Sequence, residues 1–234
     1  MPLKPSTWSL FDTIASRYDG LNSLLSFGQH RLWKQFLVRQ LHLHTGDAYI
    51  DLGTGTGDVL LAVIDRYASC ELKECIGVDM SEKMLEIAYK KRSKHASKQL
   101  TRFIQADALN LPFDEASIDR ISMTFAIRNV QNLDQCLQEI KRVLSPNGKV
   151  CILEFGLPSN ALFKRLYLFY FRYILPILGG VISRNLKAYR YLNESVESFP
   201  YGQAFCDHLV LAGFQSIRRL PLTGGIVYYY EASV

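Results

Sequence analysis

The sequence predicts an α/β protein with a doubly wound, mostly parallel sheet, and two observations lead to this class. Short apolar runs typical of buried strands alternate with amphipathic segments of helical spacing, which is the pattern of parallel strands covered by helices. The last two apolar runs, residues 216–220 and 225–230, follow each other closely and predict an antiparallel pair at the C-terminal edge. We expect residues 1–234 to form a single domain.

The elements are expected in a simple order along the chain. Apolar residues at helical spacing predict N-terminal helices over about residues 8–42. Five strands precede the closing pair, and helices that begin near residues 58, 81 and 132 separate them; the strands are predicted at residues 49–52, 75–79, 101–107, 119–125 and 149–155. An inserted aromatic helical segment over about residues 158–198 and a helix near residues 202–212 precede the closing pair.

Part of this insertion is apolar enough to suggest a membrane span. Residues 161–182 read ALFKRLYLFYFRYILPILGGVI, which is close to the length of a spanning helix. Lys164, Arg165 and Arg172 interrupt the run, and Pro176 would break a helix there. The segment therefore predicts either a lid over a ligand or a packed helical layer of the core, and not a transmembrane helix.

A glycine-rich turn follows the first predicted strand. Gly53, Gly55 and Gly57 alternate with threonines two residues after Asp51, and such a turn brings backbone N–H groups and a helix N-terminus to a nucleotide-like ligand. A dinucleotide site would require its third glycine at position 58, which is Asp58. The spacing instead resembles motif I of class I S-adenosylmethionine (SAM) methyltransferases, whose ligand lacks a pyrophosphate and carries an ammonium that Asp51 can pair.

Two further acids are predicted at strand ends. Asp79 lies 22 residues after Gly57, close to the spacing of an acid that hydrogen-bonds ribose hydroxyls, and Asp107 ends the third strand. The carboxyl ends of parallel strands share one edge of the sheet, where ligands bind. Each acid alone is equally well explained as a helix N-cap. Asp51, Asp79 and Asp107 together favour a ligand site.

The composition restricts the cellular compartment and the binding partners that can be expected. The formal net charge is +5 with a pI near 8.9, which argues against a dedicated nucleic-acid binder and suits a weak attraction to anionic lipid headgroups. Five scattered cysteines form no C-x-x-C pair and no zinc-type cluster, so we expect reduced thiols and no metal. The first residues lack an apolar signal core. A cytoplasmic protein is expected, with a peripheral contact to the inner face of the membrane left open.

Several segments resemble the ubiquinone/menaquinone biosynthesis C-methyltransferases. Residues 18–33 match the signature Y-D-x-x-N-x-x-x-S-x-x-x-H-x-x-W, and the segments at residues 128–130 (RNV), 142–148 (RVLSPNG), 153–155 (LEF) and 189–195 (YRYLNES) are also similar to that family. The likeness covers about residues 11–231. Ser145, Asn147 and Gly156 depart from the usual pattern, and none of them removes an evident catalytic group.

The resemblance implies a Rossmann-like class I SAM-dependent methyltransferase with a seven-stranded sheet. It also implies contacts from Thr56, Asp79, Thr124 and the pair Asp107–Ala108 to the methyl donor. The residue types agree, since Asp79 can accept from ribose hydroxyls and Asp107 from the adenine amino group. The full set expected to bind SAM is Asp51, Gly53, Gly55, Thr56, Gly57, Asp79, Met80, Asp107, Ala108 and Thr124.

Four residues are expected to act on the methyl acceptor. Arg128 cannot be a base, because guanidinium stays protonated, but it can stabilise a phenolate or orient a water. Asn129 can hydrogen-bond a ring oxygen, and His30 and Tyr18 are hydrogen-bonding or proton-accepting candidates. The structural alternatives are a surface ion pair for Arg128, a helix-capping role for His30 and a core position for Tyr18.

The expected reaction is SAM-dependent C-methylation of a reduced polyprenyl quinone precursor, with demethylmenaquinol preferred and a benzoquinol precursor of ubiquinone as the alternative. Residues 161–182 would then form a lid that receives the polyprenyl tail. Two other classes stay open: an NAD-dependent oxidoreductase, which Asp58 disfavours, and a non-catalytic protein that binds SAM or a prenyl lipid. The expected partners are the quinol and no nucleic acid, and a homodimer is left open.

Overall fold

The computed structural model describes residues 12, 15, 18–97, 99–175, 177 and 186–234. One sheet holds seven strands in the order β3-β2-β1-β4-β5-β7-β6. The first five pair in parallel. This confirms the predicted fold class. The strands are β1 (Ala48–Leu52), β2 (Glu74–Asp79), β3 (Arg102–Gln105), β4 (Ile118–Thr124), β5 (Leu144–Phe155), β6 (Gln215–Leu222) and β7 (Val227–Ser233).

The closing strands form the predicted antiparallel pair. β7 runs antiparallel to both β5 and β6 and lies between them, so β6 is the outermost strand. β5 begins at Leu144 instead of residue 149, because a register shift between Ile118 and Arg120 of β4 accommodates the Pro-Asn-Gly residues 146–148 within the strand.

Helices cover both faces of the sheet, and local capping explains where several of them begin. Ser81 accepts a hydrogen bond from the Met84 N–H at 3.2 Å, as its predicted N-cap role requires. The helices are α1 (Tyr18–Leu25), α2 (Gln29–Gln40), α3 (Asp58–Arg66), α4 (Glu82–Ser93), α5 (Leu133–Val143), α6 (Ala161–Phe169), α7 (Leu186–Ser198) and α8 (Gln203–Leu211).

Strand residues alternate between two apolar cores. Ile50 and Ile76 pack on the side of α5 and α8, whereas Tyr49 and Cys75 pack on the side of α2 and α3. All five residues of β1 are buried, as expected for a central parallel strand covered on both faces. The carboxyl ends of β1, β2 and β4 therefore meet at one protected edge.

Within residues 158–198, the described residues form α6, its π-helical continuation Tyr170–Ile174 and α7, and we call these segments the lid. Tyr167, Phe171 and Val196 of the lid form a third apolar cluster. Pro176 and the part of the predicted N-terminal helices before residue 18, apart from residues 12 and 15, lie outside the described residues. Within the described part of the chain, no helix has the length and apolarity needed to cross a membrane.

Candidate active site

The glycine turn after β1 has the backbone that its sequence predicts. Gly53, Gly55 and Gly57 all have positive φ angles, of 64°, 55° and 82°. A β-carbon on Gly53 would lie only 2.4 Å from the Cβ of Ala126, and one on Gly57 only 3.1 Å from that of Ala88. The turn is thus packed tightly against the loop after β4 and against α4, and larger residues would displace it.

Asp51 is fully buried behind this turn. Its carboxylate accepts hydrogen bonds from Thr54 Oγ1 at 2.8 Å and from Ser122 Oγ, and the hydroxyls of Ser122 and Tyr49 lie 2.7 Å apart. Because Ser122 uses its single proton on Asp51, Tyr49 is the donor of the last contact. Burial raises the pKa of Asp51 to about 6, and the hydrogen bonds from Ser122 and Thr54 oppose that rise.

Asp79 ends β2 and is held by backbone groups. Its Oδ2 accepts from the Gly55 N–H at 2.8 Å, and its Oδ1 accepts from the Ser81 N–H at 2.9 Å. Burial raises the pKa of Asp79, and these hydrogen bonds oppose the rise. The backbone of Met80 also donates to this carboxylate. A carboxylate has about four acceptor sites, so Asp79 retains one for a ligand hydroxyl.

A cavity of about 160 Å³ opens at the strand ends, and we call it the strand-end cavity. Seven of the ten residues expected to bind SAM line it: Gly53, Gly55, Asp79, Met80, Asp107, Ala108 and Thr124. Asp51 and Thr56 lie instead on the neighbouring cavity, and Gly57 lines neither of the two. The side chain of Thr56 is engaged elsewhere, because its hydroxyl donates to Asp19 Oδ1 at 2.7 Å and accepts from Lys91.

The neighbouring cavity is larger, about 390 Å³, and we call it the lid cavity. Aromatic and aliphatic side chains of α1, α2 and the lid form most of its wall, including Trp33, Phe163, Tyr167, Tyr170 and Phe171. It shares five residues with the strand-end cavity: Tyr18, Gly53, Gly55, Thr124 and Phe125. The two cavities therefore meet at the glycine turn and at the end of β4.

Phe125 stands at this junction in a strained conformation. Its φ of 55° is rare for a bulky residue, and its ring stacks on Phe155 with centroids 4.4 Å apart. Its carbonyl oxygen accepts from Arg128 Nη1 and from Asn129 Nδ2, the latter at 3.4 Å. Strain of this kind concentrates at functional sites.

Arg128 lies in a buried ion pair and not in the surface pair considered as its structural alternative. Its Nη1 is 2.7 Å from Glu154 Oε1, and both side chains are almost completely buried. The guanidinium also lies 5.3 Å from the ring centroid of Phe155. Its Nε is buried without a partner, and Nη2 has none among the described residues. The sequence alone did not identify Glu154 as a site residue. A charged residue within an otherwise apolar strand could have indicated it.

Asn129 is tied to the lid. Tyr191 of α7 donates to Asn129 Oδ1 at 3.1 Å. Asn129 lines the strand-end cavity while Tyr191 lines the lid cavity, so this hydrogen bond connects the two. Sequence reasoning did not single out Tyr191, because the two residues lie 62 positions apart.

His30 faces the lid cavity from the start of α2. Its ring is buried, and this burial, together with Lys34, lowers its pKa against the opposing effect of Asp58, so the imidazole is neutral. Its Nδ1 lies 2.8 Å from Ser26 Oγ, which itself lies 2.6 Å from the Asn22 carbonyl oxygen. Tyr18 lines both cavities. The structure thus brings the four expected catalytic residues to the walls of two adjoining cavities.

A charge cluster joins α1 to the glycine turn, and sequence reasoning missed it. Lys91 contacts Asp19 and Asp58, and Lys34 contacts Asp58 at 3.0 Å. These contacts lower the pKa of Asp58 despite its burial. A dinucleotide-binding motif would have its third glycine at position 58. In this chain Asp58 stands there and pairs with two lysines at the N-terminus of α3.

Comparison with known proteins decides the family. The profile of the ubiE/COQ5 methyltransferase family matches residues 5–233. The chain belongs to the ubiE/COQ5 methyltransferase family. A relative named ubiquinone/menaquinone biosynthesis C-methyltransferase UbiE, from Geotalea uraniireducens, is 41% identical over 224 residues, which cover 94% of this chain and 93% of the relative. The demethylmenaquinone methyltransferase of Thermus thermophilus is 41% identical over 217 residues, covering 93% and 96%.

Solved structures agree on the fold. A SAM-dependent methyltransferase from Thermotoga maritima, described as a possible histamine N-methyltransferase, superposes with a TM-score of 0.65 at 18% identity, covering 97% of this chain and 99% of that one. At this identity the likeness concerns the fold alone. Together with family membership, it confirms the predicted Rossmann-like architecture and the predicted enzyme class, a SAM-dependent methyltransferase of quinone biosynthesis.

The strand-end cavity of this ubiE/COQ5 family member fits SAM by its chemistry. Asp79 and Asp107 offer carboxylates of the kind that ribose hydroxyls and an adenine amino group require. Thr124 Oγ1, on the wall shared with the lid cavity, is buried without a partner. Among the described residues, no group of three His, Cys, Asp or Glu side chains is arranged to hold a metal ion.

Proposed function

We propose that the chain transfers a methyl group from SAM to a ring carbon of a reduced polyprenyl quinone, with demethylmenaquinol as the preferred acceptor. The observation that carries the proposal is the junction of the two cavities. An acid-lined cavity suited to SAM opens at Thr124 and Phe125 into an aromatic cavity suited to a flat apolar ring. The demethylmenaquinone methyltransferase of Thermus thermophilus, 41% identical, supports the choice of acceptor.

SAM supplies an electrophilic methyl group when bound. The residues of the chain have to align the ring carbon with that group and exclude water. Asp79 would accept from the ribose hydroxyls of SAM, and Asp51, on the wall of the adjoining lid cavity, would pair its ammonium. Arg128 and Asn129 orient a ring oxygen of the acceptor. Glu154 and the Phe125 carbonyl hold Nη1 of Arg128, and Nε is completely buried, so Nη2 is the guanidinium atom left to donate to that oxygen.

The test is a methyl-transfer assay with reduced acceptors of two ring systems. Purified protein is given SAM and either demethylmenaquinol or the benzoquinol precursor of ubiquinone, each with the same tail. We expect a clearly higher rate of methylation with the naphthoquinol than with the benzoquinol, and equal rates would refute the preference. Methylation of the benzoquinol alone would overturn the choice of acceptor, and methylation of neither would overturn the proposal. NAD binding in place of SAM would favour the oxidoreductase alternative, and SAM binding without turnover the non-catalytic one.

A tail of several prenyl units exceeds the lid cavity, and the surface of α6 suggests where it continues. Leu162, Leu166, Phe169, Tyr173 and Ile177 follow helical spacing and are each between 58% and 69% exposed. Lys164 and Arg165 lie between them, Arg172 is paired with Glu197 of α7, and residues 161–177 contain no acid. We propose that this apolar stripe rests on an anionic bilayer, so that the quinol enters the lid cavity from the membrane.

Sedimentation with vesicles of phosphatidylglycerol and phosphatidylcholine tests this contact. The triple variant Leu162→Ser/Phe169→Ser/Tyr173→Ser changes stripe residues that do not line the lid cavity, and should bind about tenfold less. The matched control Leu100→Ser/Val210→Ser/Leu211→Ser removes three other exposed apolar side chains and should bind normally. Equal binding by all three proteins would refute the contact. If the wild type forms a dimer and the stripe variant does not, a second copy of the chain covers the stripe.

A further inference from the structure

The hydrogen bonds around His30 determine which nitrogen carries its proton. Ser26 Oγ lies 2.6 Å from the Asn22 carbonyl oxygen, which can only accept. The single proton of the Ser26 hydroxyl is therefore used on Asn22. His30 Nδ1, at 2.8 Å from the same hydroxyl, must then be the donor. The neutral imidazole consequently carries its hydrogen on Nδ1 and has its lone pair on Nε2.

The position of Nε2 makes that lone pair available to a ligand. His30 is only 6% exposed and lines the lid cavity. Nε2 has no hydrogen-bond partner among the described residues, and it keeps some solvent-accessible surface. Its accessible surface therefore opens into the cavity wall. A neutral imidazole aimed in this way is a proton acceptor at physiological pH.

The surroundings of His30 keep the ring neutral until a proton arrives. Burial lowers its pKa most, and Lys34 and Arg31 on α2 lower it further. Asp58 at the start of α3 and Asp19 on α1 oppose them. These two carboxylates would stabilise the imidazolium once it forms, so the site favours a base that accepts a proton and then returns it.

We infer that His30 Nε2 is the general base that takes the ring hydroxyl proton of the acceptor, and that Ser26 is a positioning residue that imposes the required tautomer. This inference rests on the proposed function and names the proton acceptor of that reaction. The family signature places Ser26 and His30 four residues apart, and the structure supplies the reason for that spacing.

Nε2 takes the hydroxyl proton and leaves a phenolate. An electron pair of the ring forms the new bond from carbon to methyl, while the bond from methyl to sulfur breaks and its pair stays on sulfur. The hydrogen of the methylated carbon then leaves as a proton, and its bonding pair restores the aromatic ring. The imidazolium returns its proton to the oxygen, so that one proton is released overall.

His30→Asn is the decisive variant, because an asparagine amide can replace Nδ1–H as the donor to Ser26 but offers no base at the position of Nε2. Turnover with a naphthoquinol should fall by about 100-fold or more, the scale of losing a general base. The deficit should shrink at least about tenfold with an acceptor whose hydroxyl is acidified by an electron-withdrawing substituent, since that hydroxyl ionises without help. Added imidazole should restore part of the lost rate. Ser26→Ala should lower kcat by about tenfold while SAM affinity is unchanged.

Wild-type protein provides a measurement that does not depend on the fold of a variant. At saturating SAM, kcat with the naphthoquinol should rise with pH through a pKa below 6.5, and kcat with the acidified acceptor should stay flat. The inference is overturned if His30→Asn keeps near wild-type turnover, or if its deficit is equal for both acceptors. The proposed function fails separately, if wild-type protein methylates neither acceptor.

Discussion

The two cavities of this protein are built in different ways. The strand-end cavity consists of the glycine turn after β1 and of acids at the end of β2 and just beyond β3, and most of its residues belong to short continuous motifs. The lid cavity is assembled from α1, α2, the lid and the ends of β4 and β5, which are far apart in the chain. A ligand common to many enzymes can be bound by a local motif, whereas a particular acceptor requires a wall collected from the whole fold.

Because the two cavities differ in this way, we expect a variant in either cavity to disturb the binding of one proposed ligand, SAM or the quinol, and to spare the other. Calorimetry of SAM binding reports on the strand-end cavity, and methyl transfer to the quinol reports on the lid cavity.

The largest effect is expected at Arg128. Arg128→Ala leaves Glu154 buried without its cationic partner, which should lower the free energy of unfolding by about 3–5 kcal/mol and turnover by roughly 100-fold. Arg128→Lys should rescue poorly, since an ammonium lacks the planar fork. The double variant Arg128→Met/Glu154→Leu removes both charges and should recover most of the stability, as denaturant unfolding would show, but not the turnover. SAM affinity should change by less than about threefold. Recovery of turnover in the double variant would show that Arg128 is structural.

Asp79→Ala is the matching change in the strand-end cavity. Loss of a carboxylate that accepts from the ribose should weaken SAM binding by about 1.5–3 kcal/mol, the scale of a hydrogen bond to a charged group. At saturating SAM, the KM for the quinol should stay close to the wild-type value. Calorimetry that finds unchanged SAM affinity in a folded variant would remove Asp79 from the cofactor site.

A smaller effect is expected from pH through Asp51, whose pKa is raised to about 6 by burial. Between about pH 4 and pH 6 the folded chain holds a proton on Asp51 that the unfolded chain has lost, so the stability of the free protein should fall as pH rises through this window. SAM affinity should change in the opposite direction, because its ammonium pairs with the ionised form. Binding should be about tenfold weaker at pH 5 than at pH 7.5. Asp51→Asn should abolish this dependence, and a persistent dependence would assign it to another group such as Asp79.

The smallest effect is expected from two helix caps that differ only in location. Asn160 caps α6 of the lid by accepting from the Phe163 N–H at 3.0 Å, and Asn132 caps α5 by accepting from the Gln135 N–H at 3.1 Å. Either substitution by alanine should cost about 1 kcal/mol of stability. Only Asn160→Ala should raise the KM for the quinol, by up to about fivefold. An equal rise in both variants would mean that global stability, and not the order of the lid, sets acceptor binding.

Particular residues show how far the sequence alone could lead. Asp79, the N-cap Ser81 and the glycine turn were predicted in place, because strand ends, caps and left-handed glycines depend on neighbours close in sequence. His30 was predicted as a site residue, but its tautomer was not, since that depends on how Ser26 and Asn22 are placed around its ring. Glu154 and Tyr191 were not singled out, because their partners Arg128 and Asn129 are 26 and 62 residues away.

By itself the sequence determined the order of the strands and helices along the chain, the glycine turn after β1 and the family to which the chain belongs, since these follow from periodicity and short motifs. The tertiary structure alone decided that Arg128 is neutralised by Glu154, that α1 is tied to the glycine turn through Lys91, and that the lid and the N-terminal helices enclose one aromatic cavity. Those features depend on burial and on contacts between distant segments. Burial sets the pKa of a side chain and the cost of leaving it unpaired, and it exists only once the layers have packed.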